Sequence, residues 1–549
     1  MSDQASPTPA GPSLKRATAV MSSGTALSRI TGFVRLAVMA WAIGGVESKL
    51  PDTYNLANSM PNIVYQLVLG EVLATIFVPV FVEYLAKRDR EEAWGLASSI
   101  LNIGIATAAV FSVVTVVAAP WLIKIYTFHL SGPDKILQEQ VGAFLLRLFM
   151  PQMIFYAVGA VLTGLLNAHR KFAAPMFAPL LNNVIVIATF ALFRLRHAAG
   201  APQLQDLSFS DKMLLGGGTT LGVIAMTLVL FPYIRALPGR YSARAFQWRH
   251  PAIRHVGNLA KYSIGYVIVN QVGLWVVYAL ANGVRGGVTA YQNSWILYQL
   301  PYGIFAVSVM TFIVREVSEH HVRGDLASVR RDVSLGLRTT AFIVLPASAG
   351  FVALGRPIIR LLLQHGAFKA DSTELFADTF VLMAIGLGAY AAFQQIMRAF
   401  YAMQDTRTPW IVNIIAVGAN VGAAIPLYLA LGVPGLALAH AISYTFGTVA
   451  GGVLLRRRLG GLDGRRLALS HARIGSAAIA TGGTSWVVAR ALASRVDLAT
   501  TAGRLTQVGA AVAAGLAVYI ALARILDMDE FRPLARMLGG RFGRRGARG

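Results

Sequence analysis

The sequence predicts an all-α polytopic membrane protein with about fourteen transmembrane helices: two six-helix lobes in parallel repeat plus two C-terminal helices. Three observations lead there. Of 549 residues, 55% are hydrophobic and 13% are charged, against about 25% charged in a soluble domain. Apolar stretches broken by short polar or Gly/Pro punctuation run the length of the chain. Local patterns also recur 234 to 240 residues apart. With no cysteine, disulfides, thiolate nucleophiles, Cys-ligated zinc and iron–sulfur clusters are all excluded.

Residues 1–17 open the chain as a Ser/Pro/Gly-rich stretch ending in Lys15-Arg16. They lack the compact apolar core and cleavage site of a signal peptide, so they read as a disordered cytoplasmic tail. A bilayer-spanning helix needs about 20 apolar residues. Fourteen segments qualify, at 18–45, 53–86, 93–119, 138–168, 172–194, 214–236, 252–284, 286–314, 333–355, 374–404, 408–430, 434–455, 474–493 and 503–526. Spans 1–6 form an N-lobe over 18–236, followed by a basic cytoplasmic linker over 237–251. Spans 7–12 form a C-lobe over 252–455. A basic loop over 456–473, spans 13 and 14 over 474–526 and a basic tail over 527–549 complete the chain.

Thr75-Ile-Phe-Val78 with Glu83 resembles Thr311-Phe-Ile-Val314 with Glu319; Pro61 and Pro301 each interrupt such a span; Pro175 after Arg170 echoes Pro409 after Arg407. The matched elements lie six spans apart. Six is even, so the two halves share one orientation and are related by an axis along the membrane normal, as in parallel-repeat transporters.

The 49 Lys and Arg set the orientation. With the N-terminus inside, 27 fall inside, 10 outside and 12 within spans, which places both termini in the cytoplasm. Clusters such as Arg456-Arg457-Arg458 and Arg541 to Arg545 suit this topology and anionic lipid headgroups, not nucleic acid. Most intramembrane cations lie near span ends and read as snorkelling, Arg254, Lys261, Arg338 and Arg524 among them. Four lie deeper. Arg29 and Arg35 sit well inside span 1, Arg147 inside span 4 and Arg398 inside span 10. An intramembrane cation is expensive and usually marks a wet pathway. Arg29 and Arg35 project about 120° apart on a helix, so a broad cavity receives both if Gly32 lets the helix bend.

Catalytic motifs are scarce. There is no P-loop and no dinucleotide fingerprint, and His320-His321 sits in a polar loop without the spacing of a zinc site. The histidines mostly flank spans; His169, His250 and His365 read as interfacial. Glu71 has no acidic companion at helical spacing, while Glu83, Glu316 and Glu319 neighbour Lys87, Arg88, Arg315 and Arg323 as cytoplasmic ion pairs. Runs such as Gly216-Gly217-Gly218 and Gly482-Gly483 suit close helix packing. Two buried guanidinium groups favour a phosphate-bearing, amphiphilic cargo, whereas an exporter of cationic drugs should show buried carboxylates.

Ser28-Arg29-Ile-Thr-Gly32-Phe33-Val-Arg35, Asp52, Pro61-Asn62 and Phe77-Val78-Pro79 open a series of motifs. Asn167-Ala-His-Arg170-Lys-Phe172-Ala-Ala-Pro175, Phe177-Ala-Pro179 with Asn182, His365-Gly366-Ala-Phe368 and Arg398-Ala-Phe400 through Pro409 continue it. As a set they resemble the MurJ (MviN) family of lipid II flippases, in the multidrug/oligosaccharidyl-lipid/polysaccharide exporter superfamily, over about residues 18–455. The resemblance implies alternating access, with lipid II carried from the inner to the outer leaflet of the bacterial cytoplasmic membrane. Cavity arginines hold its pyrophosphate, and spans 13 and 14 form a groove for its undecaprenyl tail. Arg29 and Arg35 match the family's two span-1 arginines, and Asp52 its acidic residue at the start of span 2.

There are also departures. Tyr65-Gln66 stands where many members have Arg-Arg, Ile296 stands at the span-8 arginine position, and Gly70 stands at an acid, with Glu71 displaced by one. The sodium site of some members is built on a span-7 acid. Span 7 here offers Asn270 and Gln271, and span 11 offers Asn413 and Asn420. The expected substrate-binding set is Ser28, Arg29, Gly32, Arg35, Asp52, Tyr65, Arg147 and Arg398. No covalent chemistry, bound cofactor or resident metal is expected, and membrane potential or an ion gradient is the driving force open to the protein. Expected partners are lipid II, membrane lipids, and cell-wall synthesis and division proteins. Two other readings remain open: a flippase for another polyprenyl-linked oligosaccharide, and a non-transporting membrane partner of cell-wall synthases.

Overall fold

The computed structural model describes residues 14–67, 90–169, 171–239, 241–246 and 251–531. Gly70, Glu71, Thr75–Val78, Pro79, Glu83, Lys87, Arg88 and most of the two terminal tails lie outside the described residues, among which there is no β-strand. The helices are α1 (Leu14–Ile43), α2 (Leu50–Tyr65), α3 (Arg90–Thr127), α4 (Pro133–Phe149), α5 (Gln152–Ala168), α6 (Ala173–Arg196) and α7 (Phe209–Leu228). After the linker come α8 (Pro251–Ala281), α9 (Gly287–Pro301), α10 (Val307–Val322), α11 (Leu326–Leu363), α12 (Ala370–Ile385), α13 (Leu387–Ala402), α14 (Arg407–Leu431) and α15 (Val433–Arg458). The chain closes with α16 (Gly464–Ala493) and α17 (Thr501–Ile525). Among the described residues, nine helices are long and apolar enough to cross a membrane, or eleven if each of two bent pairs is one span. Three expected spans remain. Those on α1 and α16 have 30 residues each but mix polar and charged residues into their apolar ones, and α2 runs into residues outside the description.

The repeat is visible in the backbone. Pro61 is followed by a π-turn at 66–67 and Pro301 by one at Tyr302–Ala306, as expected where a proline removes a helix hydrogen bond. Span 4 breaks between α4 and α5 at Pro151, and span 10 bends by 48° between α12 and α13 at Gly386, one repeat later. Packing follows the same rule: α1 lies on α6 and α6 on α7, as α8 lies on α14 and α14 on α15. Across the lobes α2 meets α9, and the pairs α3–α8 and α11–α1 are equivalent under the repeat. This is the isologous pattern of a two-fold contact.

The lobes are clasped where α1 ends and α2 begins. Lys49 Nζ donates to the Asp52 carboxylate (3.1 Å) and to the carbonyls of Asn282 (2.6 Å) and Val284 (3.3 Å), which engages all three ammonium hydrogens. Asp52 accepts in addition from the backbone N–H of Gly286 (2.8 Å) and from the N–H (3.0 Å) and hydroxyl (2.9 Å) of Thr289. Gly286 reaches it in a left-handed conformation, φ +75°, that glycine adopts without strain. Two flanking clasps are related by the repeat: Glu47 accepts from Ser372 (2.8 Å), and Gln138 donates to Asn282 (2.9 Å).

Helices α16 and α17 pack on α11 through small residues. A Cβ at Gly482 would lie 3.0 Å from the Ala349 carbonyl oxygen, and one at Gly218, between α7 and α6, would lie 2.3 Å from Thr189 Oγ1. Both glycine runs therefore serve helix packing. Arg338 does not snorkel. It is buried and paired with Glu530 (2.7 Å), which the chain folds back after α17 to deliver. His320 lies in the last turn of α10, not in a loop, and meets Asp332 (2.7 Å); Glu319 pairs with Arg323 (2.6 Å). Burial would raise the Asp405 carboxyl between α13 and α14, but Thr408 and Arg458 outweigh it and hold it below the usual carboxylate range. The stabilisation from Asp405 is therefore present above its unfolded pKa and is lost as acid protonates the folded group.

Replacing Asp52 by Ala leaves the Lys49 ammonium buried without its counter-charge. The expected loss is about 3–5 kcal/mol, read as a lowered unfolding midpoint of the purified protein in detergent. Lys49→Met combined with Asp52→Leu should lose less than Asp52→Ala alone.

Candidate functional site

Beneath the clasp a cavity opens between the lobes, walled by α1, α2, α5, α6, α7 and α9. Its polarity is unusual for a membrane interior. Asn55, Asn58, Gln152 and Asn182 line it from the first lobe, and Gln292 and Asn293 from the second. Arg35 is its one charged side chain among the described residues. The roof is shared with the clasp, since Thr289 lines the cavity and donates to Asp52. The wall is stiff: Tyr54, edge-on to Phe149 (5.5 Å) and Phe190 (5.1 Å), shares a hydrogen bond with Thr219 (2.7 Å), and Gln152 donates to Thr220 (3.0 Å).

The expected site residues divide into groups. Arg35 enters the cavity, while Arg29 turns away as their 120° separation implies, crossing to the second lobe. There it lies against Gly303 in the π-turn: a Cβ at Gly303 would stand 2.5 Å from Arg29 Nη2 and 2.6 Å from Cζ. Arg398 is half-buried on α13, which packs on α10 just beyond the same π-turn. Arg29 thus reaches the span whose expected arginine is Ile296, just past the end of α9, and Ile296 itself faces the cavity.

Tyr65 packs its ring on Tyr156 (5.8 Å), a cavity residue, and neighbouring Gln66 accepts across the lobes from Gln271 (3.2 Å). Asp52 sits behind the cavity with both oxygens occupied, as a clasp residue. Ser28 and Gly32 face α6 instead of the cavity. Asn183 donates to the Ser28 carbonyl (3.2 Å) and Thr31 Oγ1 (3.0 Å), its amide lies 3.7 Å from a Cβ placed at Gly32, and α1 runs unbroken through Gly32. Arg147 is exposed on α4, outside the cavity.

A second cavity lies within the C-lobe. Asn270, Gln271, Asn420, His440 and Ser443 line it, with Tyr278, Tyr291, Trp295 and Tyr444, and no acid or cation among the described residues. The carboxylate on which the sodium site of some members is built has no counterpart there, and no group of three or more His, Cys, Asp or Glu suited to a metal occurs among the described residues. The sequence carries a signal for His440. Of ten histidines, only His255 and His440 fall within expected spans, and His440 lies six residues into span 12.

The family model described as lipid II flippase MurJ matches residues 42–498. A probable lipid II flippase MurJ of Haemophilus influenzae is 27% identical over 485 residues, covering 84% of this chain and 90% of the relative. One of Rhizobium tropici is 27% identical over 442 residues, 78% and 79% of the two chains. Among solved structures, a lipid II flippase MurJ in an inward closed conformation superposes with TM-score 0.74 at 22% identity, over 94% of this chain and 100% of that one. An inward-facing multidrug resistance MATE family transporter of the MOP superfamily superposes with TM-score 0.66 at 14% identity, over 79% and 98%. Both share the fold. With the family model matched across most of its length, the chain belongs to the MurJ family of lipid II flippases.

Proposed function

We propose that this protein moves lipid II from the inner to the outer leaflet of the bacterial cytoplasmic membrane by alternating access, without covalent change to its cargo. The observation that carries this reading is the cavity: one guanidinium, Arg35, among neutral amides supplied by both lobes. A guanidinium suits a pyrophosphate, which accepts two parallel hydrogen bonds from it. Asn and Gln side chains each donate and accept, which suits the hydroxyl and acetamido groups of a sugar. On this reading both termini are cytoplasmic and the Lys49–Asp52 clasp closes the outer side of the cavity, so the cargo would enter from the side opposite the clasp. The polyprenyl tail stays in lipid along α16 and α17. An inside-negative potential favours outward movement of the anionic headgroup by roughly 2.3 kcal/mol per net charge per 100 mV.

Ile296, in place of a second-lobe arginine, favours a second reading, in which the cargo is another polyprenyl-linked oligosaccharide. Translocation of labelled lipid II by the purified protein in vesicles, with a capsule-type lipid-linked sugar as competitor, separates the two. Lipid II movement insensitive to competitor supports the first reading, and movement of the competitor alone supports the second.

In cells depleted of their own flippase, the chain carrying Arg29→Ala with Arg35→Ala should lose lipid II exposure at the outer leaflet. Full exposure in that variant would point to a non-transporting partner of cell-wall synthases. Gly303→Ala should displace the Arg29 guanidinium and lower translocation by about tenfold, the scale of one charged hydrogen bond, while protein level and Arg35-dependent binding persist. An unchanged rate would remove Gly303 and Arg29 from the transport path.

A further inference from the structure

The two cavities are copies of each other under the repeat. Leu36, Ala40 and Ile43 of α1 line the Arg35 cavity, and Asn270, Leu274 and Val277 of α8 line the C-lobe cavity; each pair lies 234 residues apart, as do Asn55 and Thr289. Val186 of α6 and Asn420 of α14 are a fourth pair at that spacing. On α7 and α15, Thr219 and Val223 correspond to His440 and Tyr444, both 221 residues on. A cavity kept in both halves carries different chemistry in each. The position matching Arg35 is Val269, so the charge is gone, while Leu36 and Val186 give way to the amides Asn270 and Asn420.

Those amides have bonding capacity to spare. Asn420 is 8% exposed, and its side chain has no hydrogen-bond partner among the described residues. An amide buried in that way costs free energy until something in the cavity bonds to it. Asn270 donates to the Tyr266 carbonyl (2.9 Å), which leaves its own oxygen free to accept, and Ser443 donates to the Ala416 carbonyl (2.7 Å), which leaves its lone pairs. Gln271 lines the cavity and donates to Gln66 across the lobes (3.2 Å), so the cavity reaches the seam along which the lobes part. Tyr278, Tyr291, Trp295 and Tyr444 complete the wall. His440, buried with no acid against it among the described residues, stays neutral.

This lining selects by charge and by polarity. An anion finds no cation there, a cation finds no carboxylate to balance it, and an acyl or prenyl chain would strand the amides. A sugar ring suits it. Its hydroxyl and acetamido groups donate and accept as Asn and Gln do, and its C–H faces suit an aromatic wall. We propose that the C-lobe cavity is a second cargo chamber that takes an uncharged sugar ring, the repeat copy of the chamber in which Arg35 takes phosphate. Only α9, about 10 Å across, separates the two: Thr289, Gln292 and Ile296 face one, and Tyr291 and Trp295 face the other. No bond is made or broken. The proposal rests on the transport reading for the source of the sugar, the headgroup of a lipid-linked cargo, but not for its binding.

The probe is N-acetylglucosamine, offered to the full-length protein in lipid nanodiscs without lipid II and read by saturation-transfer NMR. Saturation should reach its ring and acetamido protons. Asn420→Val and Asn270→Leu, which install the residues of the other lobe, should each weaken binding about fivefold, the scale of one neutral hydrogen bond, and either serves alone should the other fail to fold. Glucosamine, with an ammonium in place of the acetamido group, and an acetylated, amidated Ala-Ala dipeptide should give no signal above that of a protein-free nanodisc. No transfer to N-acetylglucosamine in the unaltered protein, undiminished transfer in the variants, or equal transfer to glucosamine or the dipeptide would overturn the proposal. Because the probe is a free sugar, failure to move lipid II with sugar binding intact counts against the transport reading alone, and lipid II movement without sugar binding counts against this one.

Discussion

The rest of the structure hangs on one buried ion pair. Lys49 and Asp52 are withdrawn from water at the seam of two lobes, and a charge so placed is tolerable only if every hydrogen bond it wants is supplied. Most of that supply comes from the opposite lobe, through the carbonyls of Asn282 and Val284, the Gly286 N–H and Thr289. The pair therefore acts as a joint more than as a source of net stability. Separating the lobes leaves each charge short of partners until water reaches it, so opening on this side becomes a discrete event coupled to wetting.

The symmetry of the joint explains its position. Asn55 donates to Thr289, and the two are 234 residues apart, the repeat offset itself. Equivalent positions can touch only on the two-fold axis. The clasps Glu47–Ser372 and Gln138–Asn282 fall to either side as its symmetric copies. Their chemistry differs, a carboxylate with a hydroxyl on one side and two amides on the other, so the halves need not release together.

Composition, the repeat and the two span-1 arginines were legible in the sequence because they are local or periodic. What was not legible is what depends on partners far along the chain. Asp52 reads as a candidate ligand until its neighbours at 286 and 289 are in place. Ser28 and Gly32 sit beside Arg29 in sequence but belong to the α1–α6 contact, which only the position of Asn183 reveals. Arg338 looks like a snorkelling cation because its acid, Glu530, lies 192 residues away. Pro61 and Pro301 announce an interruption, but not that it takes the form of π-turns, one of which seats a guanidinium from the other lobe.

The loss of expected arginines at Tyr65, Gln66 and Ile296 did not empty the lobe interface of function. Gln66 and Gln271 bond across it, and Arg29 arrives about two turns beyond Ile296, at a π-turn where Gly303 has no side chain to exclude it. Helix α9 thus meets the clasp at its first turn, the polar cavity along one face, the His440 cluster along another and the Arg29 guanidinium just past its end. A helix so engaged cannot shift at one of these places without disturbing the rest. The π-turn after Pro301 weakens its continuity with α10, bent by 52°. Joined at once to the clasp, the polar cavity and the aromatic cluster of the C-lobe, α9 is the element through which a shift at one of them reaches the others.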